Sequence, residues 1–143
     1  RRSHASLSPV MRKALVMLAG LMLAGVGLAF YLTPSESGRG THQQLGLPPC
    51  SILSLTTIPC PTCGMTTSFS HFVRGRWARS IQANTSGFLL ACGCLAFLPW
   101  SAITALRGEY WLFPRIDKLI AWVLPGWLIV VMLEWGCRNF FPF

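Results

Sequence analysis

The chain has 143 residues, of which 52% are hydrophobic and 11% charged, with a mean hydropathy of +0.51. Soluble domains carry about 25% charged residues, so the deficit points to a bilayer rather than a water-soluble core. The net charge of +8 does not form one basic stripe: Arg12 and Lys13, Arg107, Arg115 and Lys118, and Arg138 bracket apolar runs, where they meet lipid headgroups, and no face for nucleic acid is left.

A basic tail over 1–13 precedes an uncharged apolar run over 14–32. About 20 apolar residues cross the hydrocarbon layer as a helix, so this segment is the first predicted span. Gly27-Leu28-Ala29 resembles a signal cleavage site, but the run is longer than a signal core and a retained anchor is expected. Residues 33–63 are rich in Gly, Pro and Ser and read as a loop holding a cysteine cluster. Residues 64–79 follow as one short amphipathic helix, with Met65, Phe69, Phe72 and Val73 at helical spacing. Arg74, Arg76, Trp77 and Arg79 would place it at headgroup depth.

The second span is predicted over 86–106 and contains Pro99. A polar turn over 107–117 carries Trp111 as an aromatic anchor. The third span, 118–136, contains Pro125-Gly126 and ends at the anchor Trp135, leaving a tail over 137–143. Glu134 lies at that span's end, where its carboxylate can snorkel to the interface. Arg1, Arg2, Arg12, Lys13, Arg107, Arg115 and Lys118 lie on one side of the spans, against Arg39, Arg74, Arg76, Arg79 and Arg138 on the other. Seven against five favours a cytoplasmic N-terminus and an outer loop. The expected fold is an all-α integral membrane protein with three transmembrane helices and a short interfacial amphipathic helix after the cysteine loop.

Four acids in all leave little for carboxylate-pair catalysis, and no Ser-His-Asp order or phosphate loop is present. Chemistry concentrates in Pro59-Cys60-Pro61-Thr62-Cys63-Gly64-Met65-Thr66-Thr67. Of the six cysteines, Cys92 and Cys94 read as small filler in a span and Cys137 belongs to no pattern. Cys50, Cys60 and Cys63 share the polar loop and allow three uses. Cys-x2-Cys is half of a tetrahedral zinc site, with Cys50 a third ligand and His71 or His42 a fourth. Cys60 and Cys63 can instead act as a redox dithiol, Cys60 capping a helix that starts at Pro61 and gaining acidity there. Outside the cytoplasm, Cys50 can also pair with either in a structural disulfide.

The run from Cys50 to Thr66 resembles the family called domain of unknown function 2752, small bacterial integral membrane proteins. Its pattern is an upstream Cys, Leu-Thr-Gly-Ile/Leu-Pro, Cys-Pro-x-Cys-Gly-Leu/Met-Thr-Arg, an Arg-Gly after a short helix, and Asn-Pro before the next span. Arg74-Gly75 and Asn84 match it. Thr57, Thr67 and Thr85 stand where glycine, arginine and proline are usual. The resemblance implies a bacterial inner membrane and lends no activity. The expected function is a non-enzymatic membrane subunit, in a homo-oligomer or with other membrane subunits. Its Cys50, Cys60, Cys63 and His71 would form a staple, with one zinc ion as its metal form and a disulfide as the other. The alternative is a thiol–disulfide oxidoreductase using Cys60 and Cys63.

Overall fold

The structure, a computed structural model, describes residues 6–110 and 116–140. It is helical, without strands among the described residues, and three helices are long and apolar enough to cross a membrane. The first of these, α1, spans Pro9–Tyr31. It begins before the predicted start at residue 14 because Ser8 accepts the Met11 N–H and Pro9 sits in the first turn. Proline is pre-organised there and has no N–H to strand. Arg12 and Lys13 therefore lie on the helix rather than in a tail.

The segment 33–63 is more ordered than a plain loop. It holds a 3-10 turn, Thr41–Leu45, and α2, Ser51–Thr56. The single amphipathic helix expected over 64–79 is two helices, α3 (Met65–Phe72) and α4 (Trp77–Ala83). Gly75 turns the chain between them at φ +70°, a conformation that costs glycine little. The second span, α5, is Thr85–Arg107, and the third, α6, is Ile116–Phe140. Assigned helix runs through Pro99 and Pro125 in these two, and α6 takes in part of the predicted tail. Trp111 and Arg115 lie outside the described residues.

The end of α1 and the start of α5 meet α3 and α4 at one end of the bundle. The packing there is polar. Thr41, Thr67, Ser68, Ser70, Ser80, Asn84 and Ser86 are fully buried, whereas the long helices expose leucine, isoleucine and valine. Lipid-facing helices gain nothing by hiding apolar side chains from one another, so hydrogen bonds and close approach hold this end together. The Ser68 hydroxyl lies 2.9 Å from the carbonyls of Ser80 and Asn84, and Ser80 donates back to the Ser68 carbonyl. Gly87 makes room for this contact, since a Cβ there would lie 3.0 Å from that of Ser68.

Two charged residues finish the helix ends. The last turn of α1 has no basic side chain of its own. Arg74 supplies one, donating to the carbonyls of Ala29 and Phe30 at 3.1 and 2.6 Å with its guanidinium over the Phe30 ring. Ser70 donates to the carbonyls of Ala29 and Leu32 beside it. A cation at a helix C-terminus meets the negative end of the dipole. At the other junction, Glu134 of α6 accepts from the Thr85 and Ser86 N–H groups at 2.6 and 2.7 Å. It also pairs with Arg138, which donates to the Ala83 carbonyl. Glu134 is therefore the anionic cap of α5 rather than a side chain reaching for water.

Candidate metal centre

Cys50 enters the site as the residue before α2, and Cys60 and Cys63 enter on a tight turn before α3. The Cys63 N–H donates to the Cys60 carbonyl and the Met65 N–H to that of Thr62, so the turn closes twice. Gly64 then takes φ +88°. A Cβ at that position would lie 2.5 Å from the Ala83 carbonyl oxygen and 2.9 Å from that of Gly38. Both the backbone angle and the close approach demand glycine.

The turn is tied down from distant parts of the chain. The Asn84 side chain accepts from the Gly87 N–H, capping α5, and its amide donates to the carbonyls of Cys63 and Pro61 at 3.1 and 3.4 Å. The Trp135 indole donates to the Pro59 carbonyl at 2.6 Å. Thr41 and Thr67 share a buried hydroxyl hydrogen bond of 2.7 Å behind the turn.

These supports bring the sulfurs of Cys50, Cys60 and Cys63 within 4.8 Å of one another, with Cys60 and Cys63 3.1 Å apart. Zinc bound tetrahedrally at about 2.3 Å separates its sulfurs by roughly 3.8 Å, within reach of side-chain rotation here. All three thiols are half-buried and free of disulfides. They open on a cavity of about 690 Å³ that also receives His42, Arg39, Ser37 and Thr62.

The thiols are electrostatically unequal. Hydrogen bonding from the Leu53 N–H, and then from the Cys60 thiol, brings Cys50 down to about 7. Burial, followed by the Cys60 and Cys50 sulfurs, pushes Cys63 up to about 12. The acidic cysteine is thus the upstream one. Cys60 does not begin a helix, because Gly64 in its left-handed conformation delays α3 to Met65. The helix-terminal position expected for Cys60 belongs to Cys50.

His71 is not brought to the sulfurs. It is 5% exposed on α3 and lines a different cavity, with Ser37, Gly38, Arg79 and Gln82. It lies six residues beyond the start of α3 at Met65, about 9 Å of helix rise away from a site that precedes the helix. His42 is the histidine at the sulfur cavity. Arg76, Trp77 and Arg79 are exposed on the α4 side, while Arg74 and Trp135 spend their donors on the carbonyls described above.

Residues 50–98 match the model of a family described as a protein of unknown function, DUF2752. The match supports the DUF2752 resemblance. No curated protein and no solved structure matches the chain significantly.

The three departures from the DUF2752 pattern have structural readings. Thr57 ends α2 at φ +61°, the sole non-glycine residue at positive φ among the described residues, where glycine is the unstrained choice. Thr67 is fully buried against Thr41, in a place without room for arginine as the chain packs. Thr85 opens α5, where proline is favoured, but here its N–H serves Glu134.

Proposed function

We propose that this chain is a non-enzymatic membrane subunit whose Cys50, Cys60 and Cys63 hold one thiophilic divalent ion, zinc by preference. The convergence of three sulfurs from two loop segments carries this reading. Thiolates select zinc over hard cations, and His42 lines the same cavity as the three sulfurs. The bound ion would staple α2 to the turn before α3 and so order a surface for partner subunits or a second copy of the chain. The N-terminus would lie in the cytoplasm and the metal loop outside it, in a bacterial inner membrane.

Elemental analysis of protein purified without chelator, with mass spectrometry of alkylated cysteines, tests the proposal. About one zinc per chain is expected, with Cys50, Cys60 and Cys63 alkylated only after chelation, because bound thiolates are shielded. Metal-free protein with three freely reactive thiols would overturn it.

A second reading rests on the 3.1 Å approach of Cys60 to Cys63 beside an acidic Cys50. Cys60 and Cys63 would form a disulfide by giving two electrons and two protons to a partner's disulfide, which becomes two thiols. Well-expressed, stable Cys60→Ser protein that has lost exchange with a model disulfide would favour this reading over the staple.

A further inference from the structure

A second cluster lies apart from the cysteines, in the corner between α3, α4 and residues 36–38. A cavity of about 330 Å³ is lined there by Glu36, Ser37, Gly38, His71, Arg79 and Gln82. That size falls within the roughly 300–1,000 Å³ span of small-ligand sites. Its floor contains an anomaly. His71 is 5% exposed, and its Nδ1 is buried without a hydrogen-bond partner. Buried polar atoms are almost always paired, and an exception calls for an explanation.

The surroundings are cationic. Burial first, then the guanidiniums of Arg76, Arg79 and Arg74, push the His71 pKa down, so the ring is neutral at pH 7. Among the described residues the ion pair found is Arg138 with Glu134, so neither Arg76 nor Arg79 has a carboxylate within bonding distance. Glu36, exposed, lines the cavity without forming such a pair. The cavity also sits at the end of the bundle where α1 ends and α5 begins, and α4, which lends it Arg79 and Gln82, starts at Trp77, 62% exposed. Tryptophan and arginine together mark headgroup depth.

We propose that this cavity binds a phosphate group, of the kind an anionic lipid headgroup presents at the bilayer surface. Arg79 supplies a planar guanidinium suited to two phosphate oxygens, and Gln82 an amide donor. The negative charge offsets the three guanidiniums and lets the His71 ring take up a proton. Nδ1 itself has almost no accessible surface, so the phosphate acts on the ring through its charge.

The test uses the full chain labelled with ¹⁵N-histidine in maltoside micelles at pH 7, which contain no phosphate. The ring signals of His71 are assigned by their loss in His71→Gln. Short-chain phosphatidylglycerol should shift them saturably toward the protonated ring. Arg79 is exposed and serves no fold contact given above, so Arg79→Gln should fold normally and bind at least tenfold more weakly. Phosphatidylglycerol binding at least tenfold tighter than inorganic phosphate supports a headgroup as the source, and equal affinity supports free phosphate. No saturable response to either would overturn the proposal. So would an unchanged affinity in Arg79→Gln, or the same shift produced by diacylglycerol, which lacks phosphate.

Discussion

Replacing Asn84 separates the tie that holds the cysteine turn from the cap that starts α5. In Asn84→Ala both functions go. The cap to the Gly87 N–H costs about 1 kcal/mol when truncated. The carbonyls of Cys63 and Pro61 lose their amide partner in a partly buried place. An acceptor left without a partner costs about 1–3 kcal/mol, and the 3.4 Å bond to Pro61 belongs at the low end. The sum is about 3–5 kcal/mol of stability. Asn84→Asp keeps an acceptor for Gly87 but turns a second oxygen toward two carbonyls, so α5 stays capped while the turn is pushed away. Both variants should unfold at lower temperature in detergent. Both should also bind zinc roughly 10–100-fold more weakly in competition with a chromogenic chelator, as expected when a support around a metal site is lost. Asn84→Asp should lose relatively more metal affinity than stability. Wild-type melting and wild-type zinc affinity in Asn84→Ala would refute the argument that this side chain positions the cysteines.

Thr57→Gly should stabilise the protein by about 1 kcal/mol or less, seen as a raised melting temperature, because relief of the left-handed strain outweighs the added freedom of the unfolded chain. In metal-free protein, the Cys50 alkylation rate should rise with pH and reach half its maximum near 7, where the thiol ionises. Cys63 should stay slow until about pH 12, and peptide mass mapping after timed alkylation distinguishes the two. Glu134→Ala should cost about 2–4 kcal/mol, since two N–H groups and Arg138 lose one carboxylate together. The double variant with Arg138→Ala should then cost less than the sum of the single ones in thermal unfolding.

Much of the architecture is legible in residue order because crossing a bilayer is a local demand. A run of about 20 apolar residues must become a helix wherever it lies, since no water is there to satisfy its backbone. The runs beginning at Ala14, Ser86 and Lys118 accordingly correspond to α1, α5 and α6. Their ends shift where local capping decides, as at Ser8-Pro9. The Cys-Pro-x-Cys-Gly spacing likewise announces a turn with two thiols on it, because proline and glycine set that turn by themselves.

Whether Cys50 joins that pair was decided only by the tertiary structure. Its approach depends on Asn84 and Trp135, which hold the turn by its carbonyls from 21 and 76 residues away. The same holds for the histidines. Either His42 or His71 satisfies the spacing of a fourth ligand, but α3 carries His71 into its own buried corner, and His42 is the one that lines the sulfur cavity. Amphipathic periodicity suggested that α3 would bury its apolar side. The folded chain buries Thr67, Ser68 and Ser70 instead, because in a bilayer the polar atoms are the ones that must find partners inside the protein.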